Sequence, residues 1–349
     1  AMFGTFTGNT TNMHTNINGS VHQGSKGFEG CDYFINEEPA KADFLSELKK
    51  GFLETPKVIS PKFFYDELGM QLFGKITETP EYYVTRVELE LLENLGNELS
   101  ELVGKNKVVI EYGCGSSRKI ATLLRTLNSP SEYLAIDISP DALKETTETI
   151  ASAFPDVRVG GLCADFYSSS FVLPKEVGGS KDSRLVFFPG STIGNQEPRE
   201  AQKFLENIHK VLGIGGNLLI GVDLRKSKDL LEAAYNDEMG YTADFNLNLI
   251  SRMKNELKID ISRDAFNHLA FYNEEKSRIE MHLVASVDQE FEIDGTKFTI
   301  LKDEAIHTEN SYKYTSEDFE TIAVNSGFDV EKCWSDPDDL FSIQYLKAV

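Results

Sequence analysis

Val108-Val109-Ile110-Glu111-Tyr112-Gly113-Cys114-Gly115-Ser116-Ser117-Arg118-Lys119 decides the fold. It reads as an apolar strand, an acid, and two glycines separated by one residue. Glycine permits a tight turn and lets backbone approach a ligand without a Cβ in the way. Downstream the pattern repeats. A helix is expected at about 119–127, then a strand at 133–138 carrying Asp137, and a helix after Pro140. Further strands are expected at 157–163, running into Asp165-Phe166, at 183–188, ending at Pro189-Gly190, and at 216–223, with a helix at 204–212 between the last two. Strand and helix in alternation build a parallel sheet with helices on both faces.

Ligands of such sheets bind at the carboxyl ends of the strands. An acid at the place of Asp137 accepts hydrogen bonds from ribose hydroxyls. A dinucleotide dehydrogenase needs a third glycine, G-x-G-x-x-G, for close packing of the helix. Arg118 stands there, so that reading fails. S-adenosylmethionine has no pyrophosphate and does not need the third glycine. Asp165 offers an acceptor for an adenine amino group, and Phe166 a ring to lie beside the base. The blander alternative is a structural glycine turn on an unrelated fold.

The flanks set the domain plan. Residues 1–40 are read as a flexible tail, rich in Gly, Thr, Asn and Ser up to about residue 30. Helices are expected from about 40, at 67–75 and at 85–103. Beyond Asp223 the rhythm breaks: helix, turn, helix over 229–257, then short alternating strands at 270–272, 278–286 and 291–293. A helix at 316–325 and a strand pair, 328–335 with 342–349, close the chain. The expected class is α/β, a Rossmann-like class I methyltransferase sheet with a smaller α+β substrate-binding insert. The methyltransferase domain spans 41–224 and 314–349, and the insert spans 225–313.

A net charge of −21 disfavours nucleic acid and anionic membrane surfaces as partners. No apolar run approaches the roughly 18–20 residues of a membrane span, and no signal-peptide pattern opens the chain. Cys31, Cys114, Cys163 and Cys333 form no C-x-x-C pair, so no metal site is expected from them. Free thiols fit a reducing, cytoplasmic setting. The protein is expected to be a monomer.

Three further segments carry more information than the glycine motif. They are Pro61-Lys62-Phe63-Phe64-Tyr65-Asp66, Leu72-Phe73 through Thr79-Pro80-Glu81-Tyr82-Tyr83, and Pro189-Gly190-Ser191-Thr192-Ile193-Gly194-Asn195. With them, from roughly Phe52 to the C-terminus, the chain resembles the histidine Nα-methyltransferases of ergothioneine biosynthesis, which trimethylate histidine to hercynine. The resemblance implies that Tyr82, Gly113, Lys119, Asp137, Asp165 and Phe166 hold S-adenosylmethionine. It implies that Tyr65, Asn195 and Tyr235 hold the α-amine and carboxylate of L-histidine beside Gly190, with Tyr65 as the catalytic residue. Met281, Glu309 and Ser311 would line the side-chain pocket. Two departures from the family pattern are Cys114, where Ser is common, and Asn310, between Glu309 and Ser311. Neither removes a role-bearing group.

Taken alone, each of these residues has a blander role. A lone Tyr among thirteen is usually packing, Met281 a core residue, Glu309 a solvated charge, Lys119 a helix surface residue. Two alternatives stay open at this point: the same fold methylating another amino acid, such as a prenylated tryptophan, or a catalytically silent binding subunit.

Overall fold

The computed structural model describes residues 20–22, 30–180 and 183–349. Strands β1 (Ser20–His22) and β2 (Tyr33–Asn36) precede helices α1 (Phe44–Phe52), α2 (Glu67–Ile76) and α3 (Tyr83–Val103). Alternation follows with β3 (Val108–Tyr112), α4 (Ser117–Thr126), β4 (Glu132–Asp137), α5 (Pro140–Ala153), β5 (Arg158–Cys163), β6 (Arg184–Phe188), α6 (Pro198–Leu212) and β7 (Asn217–Asp223). Then come α7 (Lys228–Ala234), α8 (Tyr241–Leu257), β8 (Phe266–Asn273), β9 (Arg278–Ala285), β10 (Gln289–Ile293), β11 (Thr296–Ile300) and β12 (Ala305–Tyr312). Helix α9 (Ser316–Asn325) and strands β13 (Phe328–Ser335) and β14 (Phe341–Ala348) end the chain.

The main sheet has the order β1-β2-β5-β4-β3-β6-β7-β14-β13. Its six strands from β2 to β7 run parallel, and β14 and β13 add antiparallel pairs at one edge. Every residue of β3 is buried, as expected of a strand covered on both faces. Alternate residues divide the core. Val109, Tyr133, Leu185 and Leu219 pack on the face of α3, α4 and α5. Val108, Ile110, Leu134, Val186 and Leu218 pack on the face of α6 and α9. Polar caps fix the helix starts: Asp43, Asp66, Ser116, Ser139 and Thr315 each accept a backbone N–H from the first turn, an arrangement worth about 1 kcal/mol apiece.

Two boundaries differ from the sequence reading. The tail expected over 1–40 ends earlier. Over 1–19 and 23–29 that reading lies outside the described residues, but Tyr33–Asn36 is a sheet strand paired in parallel with β5. Its three apolar residues are too few to reveal a period, yet Tyr33, Phe34 and Ile35 are all buried. The Tyr33 ring lies over Gly160, where an added Cβ would collide at 2.1 Å, and its phenol donates to Glu132 at 2.8 Å.

The second difference concerns α1 and α2, which the sequence reading put with the sheet. They pack against the insert instead. Phe64, just before α2, stacks on Phe245 of α8 at 4.5 Å. Arg252 donates to the Phe63 carbonyl, Asn248 to Asp66, and Phe52 meets Phe291 and Phe298 edge-on. Periodicity reports only that a helix has an apolar face, not which partner covers it. The insert leaves the sheet at Leu224 and returns at Tyr314, and these two residues meet in a parallel bridge. It carries a three-stranded sheet, β12-β9-β8, and the hairpin β10-β11. The expected strands at 270–272 and 291–293 lie within β8 and β10, and the one at 278–286 runs one residue past the end of β9, while β11 and β12 are additional. Among the described residues no helix is long and apolar enough to cross a membrane.

Candidate active site

The carboxyl ends of β3, β4 and β5 meet at one point. Gly113 follows β3 with φ +80, a conformation that a residue with a Cβ adopts only under strain, and its N–H bonds to the Ile136 carbonyl. The position a Cβ would take lies 3.7 Å from the Phe166 ring. Asp137, ending β4, accepts the backbone N–H of Cys114 at 3.0 Å and of Ser139 at 2.9 Å, one on each oxygen. Burial raises its carboxyl above the usual range, against those backbone bonds. Each oxygen keeps a lone pair for a further donor, such as a ribose hydroxyl. Phe166 is half-buried against Tyr112 at 5.0 Å and Tyr167 at 4.6 Å. Asp165 is exposed, with one oxygen accepting the Tyr167 N–H. An acid with free lone pairs, a bare backbone turn, an aromatic face and an exposed acceptor are groups that a nucleoside could use.

Lys119 is placed differently from the rest of this set. Its ammonium pairs with Glu88 at 2.7 Å, and Glu88 also accepts the Gly190 N–H on both oxygens at 2.8 and 3.0 Å. The lysine therefore holds the turn after β6. Within that turn Ser191 is left-handed at φ 53, a strained state for a residue with a Cβ. Its hydroxyl is fixed by accepting the Asp223 N–H at 2.9 Å. Gly190 thus links the cofactor side to Asp223 and what Asp223 holds.

The second group of residues lies across the insert. Tyr65, Tyr82 and Tyr235 form one aromatic series. Phe73 meets Tyr65 at 6.1 Å and Tyr82 at 6.3 Å, and Tyr82 meets Tyr235 edge-on at 6.1 Å. Tyr82, which the resemblance put with the cofactor, is therefore in ring contact with the substrate-side tyrosine Tyr235. Tyr65 is 44 % exposed while Tyr82 and Tyr235 are each 8 % exposed. Removal from water raises all three phenols, with Glu309 adding to the rise at Tyr65 and Tyr82. They stay protonated at neutral pH, so none is a phenolate base.

Strand β12 supplies the acid. Its register against β9 slips between His307 and Glu309. Such a bulge re-aims the side chains beyond it. Glu309 then stands opposite Met281, and Ser311 opposite Ile279, so Glu309, Ser311 and Met281 share one face of the sheet. Met281 is 1 % exposed and forms part of the core beside Glu309. Burial pushes the Glu309 carboxyl up to about 7, and the nearby Lys313 opposes the rise. Asn195 ends the 3-10 turn Thr192–Asn195. With Glu309 and residues of α1 and the following loop it lines a cavity of about 510 Å³.

The residues that sequence reasoning missed lie beneath this face. Lys313, 1 % exposed, donates to Asp223 at 2.6 Å and to both Tyr235 and Ser311 at 2.9 Å. Tyr235 donates to Ser311 at 3.0 Å. Asp223, fully buried at the end of β7, also accepts from Tyr83 at 2.6 Å and Lys226 at 2.9 Å. Burial alone would raise the Asp223 carboxyl, but Lys313 and Lys226 hold it below its ordinary range. Burial lowers the Lys226 ammonium to about 8 despite Asp223. Two signals were available: Asp223 ends a parallel strand, and Glu309, Ser311 and Lys313 alternate along one strand face.

Among the described residues, one group could hold a metal. Glu280, His282 and His307 bring ligand atoms within 4.8 Å of one another. The His282 Nε2 bonds Glu280 at 3.0 Å, the His307 Nε2 bonds Asn310 at 2.7 Å, and Arg278 pairs with Glu280. Hydrogen bonds and a guanidinium thus engage Glu280 and the two Nε2 atoms, while His282 Nδ1 is buried without a partner.

A family model described as "Histidine-specific methyltransferase, SAM-dependent" matches residues 44–348. The chain is similar to "Histidine N-alpha-methyltransferase" of Mycolicibacterium smegmatis, 33 % identical over 312 residues, covering 88 % of this chain and 95 % of that protein. It is 29 % identical over 304 residues to "Ergothioneine biosynthesis protein 1" of Neurospora crassa, covering 80 % of this chain and 32 % of that longer protein. It is 25 % identical over 329 residues to a 4-dimethylallyltryptophan N-methyltransferase of Claviceps purpurea, covering 86 % and 94 %.

Proposed function

Because the chain belongs to the S-adenosylmethionine-dependent, histidine-specific methyltransferase family, we propose that it methylates the α-amine of L-histidine three times, giving hercynine for ergothioneine biosynthesis. The observation that carries the substrate reading is the shared face of β12: Glu309 and Ser311 stand two residues apart, with the Tyr235 phenol bonded to Ser311. Neutral imidazole has one donor and one acceptor. Glu309 accepts from the first, and Ser311 donates to the second. An indole has no ring acceptor and would leave Ser311 unpaired, which is how such sites discriminate.

S-adenosylmethionine supplies an electrophilic methyl on a sulfonium. The chain's own residues bind and orient. Asp137 accepts the ribose hydroxyls, Asp165 and Phe166 take the adenine, and Gly113 lets the backbone come close. Lys119 acts through Glu88 on the Gly190 turn. Asn195 and Tyr235 donate to the substrate carboxylate. The Tyr65 oxygen accepts from the α-amine and aims its lone pair. Tyr65 and Tyr82 offer aromatic faces to the cation that grows with each transfer. Holding the two reactants in line contributes up to about 7–11 kcal/mol. Peptide α-amines titrate near pH 8, so a modest downward shift and a water exit suffice for proton loss without a strong base. An amine displacement of this kind requires no metal. On this reading the protein is a cytoplasmic monomer, and Met281 packs the pocket floor.

Incubation with S-adenosylmethionine and each of the twenty amino acids, read by mass, tests the proposal. A gain of three methyl groups on histidine is expected. Methylation of tryptophan in preference, or of no amino acid, would overturn it.

A further inference from the structure

Glu309 and Ser311 could read imidazole in either of two orientations unless something fixes which of them donates. Lys313 lies directly beneath and is 1 % exposed. An ammonium has three N–H donors and no acceptor. Here all three are engaged, on Asp223 at 2.6 Å, Tyr235 at 2.9 Å and Ser311 at 2.9 Å. Lys313 has no hydrogen left for a ligand, so it acts only through these partners.

Resting on the function proposed above, we infer that Lys313 is the positioning residue that sets Tyr235 and Ser311 as donors, and so fixes the bound histidine as one neutral imidazole tautomer. Each hydroxyl oxygen accepts one Lys313 N–H. The Tyr235–Ser311 bond of 3.0 Å can therefore open without leaving either oxygen bare. Both hydroxyl hydrogens then turn outward, Tyr235 to the carboxylate and Ser311 to the imidazole nitrogen that lacks a proton. The other ring nitrogen keeps its N–H and gives it to Glu309. A protonated imidazole would bring a second cation toward the buried Lys313 ammonium. Asp223 anchors the device. It is fully buried, and Tyr83, Lys226 and the Ser191 hydroxyl keep it in place.

The test uses histidine with ¹⁵N-labelled imidazole, bound to the full chain with S-adenosylhomocysteine at pH 8. Nitrogen shifts distinguish one tautomer from the mixture present in free histidine. The wild type is expected to show one tautomer. Lys313→Met is expected to restore a mixture and weaken histidine about tenfold, the scale of one lost hydrogen bond. S-adenosylhomocysteine affinity should stay unchanged. Asp223→Asn with Lys313→Met removes both charges together if the single variant fails to fold, and the same result is expected of it. A tautomer mixture in the wild type overturns the inference without any variant. So does a single tautomer that survives loss of Lys313. If wild-type protein bound no histidine at all, the proposed function itself would fall, which is a different outcome.

Discussion

The two ends of the active site are built by different means. At the proposed cofactor end, Gly113, Asp137, Asp165 and Phe166 come from the ends of consecutive parallel strands and rely on backbone bonds such as those from Cys114 and Ser139. At the proposed substrate end, Tyr65, Asn195, Tyr235 and the β12 pair Glu309 and Ser311 come from four separate places in the chain. Tyr235 and Ser311 are tied together by a buried ionic cluster centred on Asp223 and Lys313. The first design tolerates local change, because strand register fixes the backbone. The second makes part of substrate recognition hostage to a few buried charges.

The largest effect should come from Asp223→Ala. It leaves Lys313 and Lys226 without a counter-charge in the interior, and breaking such a pair costs about 3–5 kcal/mol. Urea unfolding measures it, and a loss below about 1 kcal/mol would erase the contrast between the two ends. Far from those charges, near the amino ends of β4 and β5, Tyr33→Ala removes a buried ring and its bond to Glu132. About 3 kcal/mol is expected, with histidine affinity unchanged; a fall in that affinity would mean that the ends are not independent.

A smaller effect concerns pH. Glu309 is raised to about 7 in the folded protein, above its value in an unfolded chain, so the folded state resists its ionisation. That resistance develops as pH rises from about 4.5 and is complete above 7. Glu309→Gln should therefore stabilise the protein at pH 8 and leave it unchanged at pH 4. For a carboxyl at the edge of a cleft the gain is on the order of 1–2 kcal/mol. Thermal melts at both pH values check the sign, and stabilisation at pH 4 instead would contradict it.

The same contrast decides what the sequence discloses. The cofactor end is legible because its residues are adjacent in sequence to recognisable strands, and a missing third glycine at Arg118 narrows the ligand. Asp223 and Lys313 are not legible in that way. Each is ordinary until the fold brings β7 against the end of β12. Glu88 is likewise a helix residue of α3 whose role exists only because Lys119 and Gly190 arrive beside it. The bulge before Glu309 also escapes pattern reading, because a slipped register breaks the alternation that reveals a strand. Tyr33–Asn36 is hidden for another reason: four residues beside a Gly-rich stretch carry too little period to be seen.

The most direct test of the account is a crossed titration by calorimetry. S-adenosylhomocysteine, then L-histidine with S-adenosylhomocysteine saturating, are titrated into Asp137→Asn and into Glu309→Ala. The account predicts a loss of about 10–100-fold in S-adenosylhomocysteine affinity for Asp137→Asn alone, and a loss of the same order in histidine affinity for Glu309→Ala alone. Equal losses of both ligands in Glu309→Ala would contradict it, because Glu309 would then support the fold of the whole site and would not read the substrate.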